Sequence, residues 1–526
     1  MNDTIATTAD NTAGWQATGL AVHQASDLTG KQPEGERLKI EADVVIVGSG
    51  AGGAVSAYEL ARRGFKVVVL EAGAYVPSKD FTERFTDSLD TLYQDHGGQT
   101  NSSGDLLVLQ GACVGGSTVV NGCVCFRTPD FILQDWQRDF GLDDLTTAEL
   151  TPYFDEVEKN LAVHENGEHE IPRHGRLIRA GANRLGWSVK PLQRNIRQCG
   201  LTGHCLSGCK TERKQSMLVT YLPWAEAHGA QIYADTRVEN ILTENGKASG
   251  VEATVTHRDG SVAARMTVTA PRVIVAAGAV QTPLLLLKSG LGNRSGQVGR
   301  NFACHPSLYV PARYPEPVYP WRGAMLGVYV DEFMHPDKGG FVLEDGGAGL
   351  VELTMAAEPG TGKPFMDYMA DAKYLGGLVT LIHDHNVGTI EWDGERKKIN
   401  YQLSDMDFPS MQRALKAAAR LHLASGAEEV YVPASDNRVI RSEADIDVMV
   451  DTLENLPQHL RMVSYHPQGT CRMGADPDHS VVGSDGQSHD VPGLYVADAS
   501  LLPTSIIVNP QITVYALATR IARQMA

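Results

Sequence analysis

Two groups of residues in this sequence have types and spacing that could do chemistry. The first is Gly48-x-Gly50-x-x-Gly53, set between the apolar run Val44-Val45-Ile46-Val47 and a helix-like stretch through Ala54, Val55, Ala57, Leu60 and Ala61. In such a loop Gly48 permits the tight turn, Gly50 lets the backbone approach a pyrophosphate, and Gly53 lets helix and strand pack closely. Ala51 and Gly52 lie at the helix start, where free N–H groups and the positive end of the helix dipole favour phosphate. Glu71 follows the next apolar run, Val67-Val68-Val69-Leu70, and can accept hydrogen bonds from an adenosine ribose. A glycine-rich turn without a ligand is the bland alternative, but strand, helix and acid all stand in place. The fingerprint implies a dinucleotide and does not separate FAD from NAD.

The second group is Cys199-Gly200-Leu201-Thr202-Gly203-His204-Cys205-Leu206-Ser207-Gly208-Cys209, a C-x5-C-x3-C pattern. Small residues between the thiols would let a loop wrap a compact object, and thiolates are the usual iron–sulfur ligands. A zinc site with His204 as fourth ligand, or reduced metal-free thiols, are the competing readings. Cys123 and Cys125 alternate faces on an extended segment and read as packing, as does Cys471. The chain has 17 His, and any one taken singly is more often structural; His305 is assigned to structure.

These groups need elements to hold them. The chain has 526 residues, of which 42% are hydrophobic, enough for two or three domains with a sizeable core. Lys+Arg 46 against Asp+Glu 63 gives a net charge of −17, a sign that repels phosphate backbones and anionic lipid, so nucleic acid is excluded as a partner. No run is apolar and long enough to span a membrane, and residues 1–40 lack the pattern of a secretory or twin-arginine leader. The expected location is cytoplasmic, with the 8 Cys reduced or ligating. Residues 1–40 read as a loosely held arm. A β-α-β unit opens at Val44; Glu244-Asn245-Gly246 and Arg258-Asp259-Gly260 are hairpin turns; Val273-Ile274-Val275-Ala276 and Leu494-Tyr495-Val496-Ala497 are further buried strands. Leu350-Val351-Glu352-Leu353 reads as strand, Ser410–Leu423 as an amphipathic helix, and Ile512–Met525 as a closing helix.

Five further stretches carry a family resemblance. Gly111-Ala112-Cys113-Val114-Gly115-Gly116-Ser117-Thr118-Val119-Val120-Asn121-Gly122 and Gly278-Ala279-Val280-Gln281-Thr282-Pro283 resemble the two signatures of the glucose–methanol–choline (GMC) oxidoreductases. His466-Pro467-Gln468-Gly469-Thr470-Cys471-Arg472-Met473-Gly474, then Val496-Ala497-Asp498-Ala499-Ser500 and Asn509-Pro510-Gln511-Ile512-Thr513, resemble that family's C-terminal pattern. The resemblance implies an α/β fold: a Rossmann-type FAD-binding domain with a discontinuous antiparallel-sheet (α+β) substrate domain. It places the FAD domain at 41–130, 196–305 and 456–526, and the substrate domain at 131–195 and 306–455.

The cofactor implied is FAD, bound non-covalently, since the 111–127 block offers no evident attachment residue. Gly115, Gly116, Ser117, Asn121 and Gly122 would line its flavin and ribityl side, Val238 its adenine, and Ala277 and Gly278 the second signature's loop. Asp498 and Ala499 would meet the phosphate–ribityl region. The helix beginning near Pro510 and Gln511 would aim its positive end at the flavin's pyrimidine edge. Oxidising an alcohol requires hydride transfer to flavin N5 and a proton acceptor. By family position His466 is that base, while Asn509, which cannot be one, orients the substrate oxygen. The cysteine loop is similar to that of long-chain alcohol oxidases and of iron–sulfur FAD sugar dehydrogenases, with Thr202 where the former often have another Cys. This implies a 3Fe–4S cluster on Cys199, Cys205 and Cys209, passing electrons to an external quinone or cytochrome acceptor, which could be a partner subunit. The expected enzyme is therefore an alcohol dehydrogenase for a lipophilic or aromatic alcohol, a preference drawn from Met325, Tyr329, Phe341, Met355, Phe365, Tyr368, Met369 and Tyr374. An oxidase producing peroxide is the alternative, and a non-redox lyase a remote one.

Overall fold

The computed structural model describes residues 20–30, 37–356, 361–385 and 388–526. A five-stranded parallel sheet runs in the order 494–496, 273–275, 44–47, 67–70, 231–233. Its strands are uninterrupted Val, Ile and Leu because both faces are covered, and every residue of Val44–Val47 and Val67–Leu70 is buried. The helix Ala51–Ala61 covers one face, and the C-terminal helix Gln511–Met525 packs against it. Arg523 ties the two helices by donating to the buried Glu59 carboxylate at 2.9 Å. The last strand of the chain thus completes the sheet that the first one starts.

A seven-stranded antiparallel sheet forms the second body, in the order 439–440, 429–431, 309–313, 375–382, 341–346, 328–330, 189–191. The helices Arg173–Leu185 and Phe408–Ala424 pack on it, with Ala417, Ala418, Leu421 and His422 turned inward. A Rossmann domain for FAD and a discontinuous antiparallel substrate domain are therefore both present, as the sequence implies.

Two local expectations fail. Leu350–Leu353 lies in a helix, Leu350–Ala356, not a strand. In so short a run both periods fit; Leu353 is buried against Tyr309, Tyr368 and Leu375, while its neighbour Glu352 turns to the central cavity. Nor is the whole of 1–40 a loose arm. Leu38–Glu41 pairs in parallel with Met266–Thr269, and His23 stacks on Tyr233 with ring centroids 4.5 Å apart. Residues 1–19 and 31–36 of that arm, and the side chain of Met355, lie outside the described residues.

Candidate active site

Where the two bodies meet, one cavity runs from Glu71 and Val238 past the glycine loop to the antiparallel sheet. Of the residues singled out in the sequence for cofactor or catalysis, all line it except Gly53 and Gly115. Gly53 has the packing role expected of it: a Cβ there would lie 2.0 Å from Gly48 O. The Gly115 N–H donates to Ser49 Oγ at 3.0 Å, which ties the two glycine loops together.

The loops that form the cavity wall are fastened by their own polar groups. Glu71 Oε2 accepts from Ser49 N at 2.9 Å and Ser49 Oγ at 2.7 Å, and Oε1 accepts from Gly73 N at 2.8 Å. Burial pushes its carboxyl up, and these donors and Arg237 oppose the shift. Asp498 Oδ2 accepts from Gly278 N at 2.8 Å and Thr282 Oγ1 at 2.6 Å, clamping the start of the helix Gly278–Ser289 to the C-terminal strand. Asn121 Nδ2 donates to Gln511 Oε1 at 2.9 Å, joining the 111–122 loop to the C-terminal helix. Gly52 has no room for a side chain, because a Cβ would meet Ala497 O at 1.5 Å. Gly50 and Gly116 approach so closely that a Cβ on Gly116 would lie 2.8 Å from Gly50 Cα. Bare backbone, a helix N-terminus and a narrow slot between two glycine loops fit an extended anionic cofactor such as FAD.

His466 and Asn509 line the same cavity. Burial pushes the His466 imidazole down to about 3, so it is neutral at working pH. Its Nδ1 lies 3.2 Å from Nδ1 of His305, a fully buried residue held at φ 45° whose N–H donates to Asp384 Oδ1 at 3.2 Å. The reading of His305 as purely structural misses this contact. The family-position signal that selected His466 does not reach across the fold to its partner. Gln468 Nε2 lies 3.2 Å from His305 Nε2 and 3.1 Å from His466 O. Asn509 meets Glu344 from the antiparallel sheet, a residue that no motif or spacing singles out.

The expected iron–sulfur cluster is corrected. Among the described residues no group of three or more His, Cys, Asp or Glu is arranged to hold a metal ion, which also removes the zinc alternative with His204. The thiols are engaged separately. Cys199 Sγ accepts from Leu201 N at 3.5 Å and lies 3.9 Å from Arg194 Nη1; Cys209 Sγ accepts from Lys214 N at 3.4 Å. Cys205 takes the Cys123 thiol as donor, which with Lys214 and Arg194 pulls it down to about 6 against the effect of burial. Two buried cations, Arg194 and Lys214, thus stand among the thiols where a cluster would have to sit. Elemental analysis of purified protein is accordingly expected to find flavin without stoichiometric iron or zinc, and Cys205→Ser should keep the flavin absorption bands. Iron that disappears with Cys205→Ser would reverse this correction.

Comparison with known proteins agrees with this geometry. The family description "GMC oxidoreductase" matches residues 89–307, its C-terminal counterpart matches 384–518, and an NAD(P)-binding Rossmann-like domain matches 46–104. A GMC-type oxidoreductase of Mycobacterium tuberculosis is 34% identical over 92% of this chain and 75% of its own. The chain belongs to the GMC oxidoreductase family. It is an FAD-dependent oxidoreductase. The long-chain-alcohol oxidase FAO3 of Arabidopsis thaliana is 30% identical over 94% of this chain and 69% of its own. Among solved structures, pyridoxine 4-oxidase from Mesorbium loti shares the fold with a TM-score of 0.69 at 22% identity, covering 92% of this chain and 98% of that one. Membership of the iron–sulfur sugar dehydrogenase subgroup has no support among these relatives. Among the described residues no helix is long and apolar enough to cross a membrane.

Proposed function

We propose that this GMC enzyme is an alcohol oxidase: it removes a hydride from the carbinol carbon of a lipophilic alcohol and delivers the electron pair to dioxygen, giving a carbonyl and hydrogen peroxide. The observation that carries the reading is that one cavity is lined by the glycine loops of the dinucleotide cleft, by His466 and Asn509, and by the apolar side chains of Leu107, Leu109, Met325, Leu326, Val379 and Leu381. Similarity to the long-chain-alcohol oxidases supports the acceptor and the substrate class. The expectation of a quinone or cytochrome acceptor rested on the cluster and falls with it.

The residues that would hold FAD are those already placed along the cleft, from Glu71 and Val238 through Gly50, Gly52 and Gly116 to Asp498, Asn121 and the helix start at Pro510–Gln511. What FAD supplies when bound is a two-electron acceptor for the hydride and a route for that pair to oxygen. The chain supplies the rest. The leucine, valine and methionine side chains exclude water and take the alkyl part of the alcohol. His466 is held at Nδ1 by His305, which leaves Nε2 as the edge for the alcohol. Kept neutral by burial, His466 takes the hydroxyl proton as the hydride departs. That direction needs Gln468 to present its amide oxygen, now without a partner, to His305 Nε2. Asn509 bonds the same oxygen and keeps the carbinol carbon aimed.

The test is anaerobic mixing of the flavoprotein with benzyl alcohol and with 1-dodecanol, followed by admission of oxygen. Bleaching followed by stoichiometric peroxide is expected. Bleached flavin that reoxidises only with an artificial dye would make the enzyme a dehydrogenase, and flavin that no alcohol bleaches would favour the lyase. Asn509→Ala should slow the bleaching by about tenfold, the loss of one hydrogen bond to the transition state. A larger loss than for His466→Ala would exchange the two residues' importance.

A further inference from the structure

Glu344 and Asn509 present an accounting problem. Glu344 sits on the strand Phe341–Gly346, every residue of which is buried. Its neighbour Asp345 faces the other side of the sheet, where Oδ1 accepts from Gly327 N at 2.6 Å and Val328 N at 2.7 Å and Oδ2 lies 3.2 Å from His174 Nε2 without a hydrogen-bond donor of its own. Glu344 instead faces the cavity, and the Asn509 amide is its hydrogen-bonding partner. With the carboxyl ionised, that amide donates through Nδ2. This leaves Glu344 Oε1 and Asn509 Oδ1 both buried and both without a donor. Orphan acceptors on two residues that share a hydrogen bond are costly, and a native site normally avoids them.

One proton removes the conflict. We propose that Glu344 is a positioning residue that carries a proton in the working enzyme and donates it to Asn509 Oδ1, turning the amide so that its N–H bonds face the alcohol oxygen. In this arrangement Asn509 can donate to the oxygen as it gains negative charge, which an amide presenting Oδ1 cannot do. The inference rests on the reading of Asn509 as the group that holds the alcohol oxygen.

The surroundings keep the proton in place. Across the sheet Glu344 pairs with Tyr329 on one side and Val379 on the other. The cavity brings Tyr309, Glu352, Tyr465 and His466 to the same region, and Asp345 adjoins on its own strand. None of these is a cation at working pH, and Arg194 acts on Asp345. Burial, with repulsion from Asp345, pushes the Glu344 carboxyl up to about 8. Sign matters here: the group is protonated below that value, so the donating form of Asn509 is present at neutral pH and lost as pH rises.

Two measurements on the FAD-loaded protein decide the matter. The infrared difference spectrum of wild type minus Glu344→Gln should contain the carbonyl stretch of a buried carboxylic acid at neutral pH, absent at strongly alkaline pH. In stopped flow with benzyl alcohol, the wild-type rate of flavin reduction should fall above about pH 8 and level off about tenfold lower, the loss of one hydrogen bond to the transition state. Glu344→Gln, whose amide N–H replaces the acid as permanent donor to Asn509, should lose that alkaline limb. Glu344→Ala should be slower by about tenfold throughout, having lost the orientation of Asn509. A difference spectrum without the acid band, or a Glu344→Gln profile that retains the wild-type limb, overturns the proposal. If benzyl alcohol fails to bleach wild type, the alcohol-oxidase reading is what fails, and the infrared band still decides Glu344.

Discussion

Replacing His466 by alanine is expected to lower the rate of flavin reduction by an alcohol about 10²–10⁴-fold, the range for a lost general base, while FAD stays bound. Among the described residues the polar contacts of His466 are with His305 and Gln468, and none reaches the phosphate-binding loop. The loss should therefore appear in the limiting reduction rate and not in flavin content. It should also change the pH profile in a defined way. Burial holds His466 at about 3, so wild type should keep reducing flavin well below the usual imidazole range, with no acid limb near neutrality. Stopped-flow reduction across acid and neutral pH checks both points. A His466→Ala variant that bleaches as fast as wild type would place the proton acceptor elsewhere.

The sequence made the cofactor cleft legible because its signals are local. A run of β-branched residues, three glycines at fixed offsets and an acid after the next strand describe one β-α-β unit, and that unit forms whatever the rest of the chain does. The hairpin turns at Asn245-Gly246 and Asp259-Gly260 are visible for the same reason, since positive φ at the turn is a property of a few residues. Glu344 gave no such signal. In a strand reading Phe-Val-Leu-Glu-Asp-Gly two adjacent acids next to a glycine look like the exposed end of a strand running into a turn. Only the packing of the cavity against that sheet brings Glu344 to Asn509. His305 was hidden in the same way: its partner is set by two loops meeting, not by spacing.

The cysteine loop shows the opposite error, a local pattern that the tertiary structure overrides. Spacing registers which thiols could converge, but not which charges share the space with them. Arg194 and Lys214 enter from a strand and from the loop's own downstream end, and Lys214 Nζ donates to Cys205 O at 2.8 Å and Asn121 O at 3.0 Å. Buried cations need anionic or dipolar partners, and here Lys214 finds carbonyl oxygens while Arg194 finds the Asn166 amide oxygen and the Glu170 carboxylate. The loop's position then makes sense as a brace: by holding Asn121 O it steadies the residue that bonds Gln511 at the start of the C-terminal helix.

Gly116→Val should abolish tight FAD binding while a matched glycine change elsewhere does not. Gly116 adopts φ 55° and ψ −149°, a region open to glycine and closed to residues with a branched Cβ. A Cβ there would also lie 2.8 Å from Gly50 Cα, inside the slot between the two glycine loops. Neither contact atom is the end of a flexible side chain, so relief requires the loops to part. Strain of this kind costs about 1–3 kcal/mol, and if all of it falls on the bound state the affinity for FAD drops roughly 10–100-fold. The parting of the loops also removes the surface on which the cofactor lies, so the upper end of that range is expected. Gly64→Ala supplies the control. Gly64 has φ 88° with nothing within 4 Å of a Cβ, at the exposed end of the helix Ala51–Ala61. It should lose about 1 kcal/mol of stability and keep its flavin. Titration of the two apoproteins with FAD, alongside their thermal unfolding, separates a lost site from a lost fold. Gly116→Val protein that is folded and binds FAD as wild type does would show that the two loops do not form the cofactor slot.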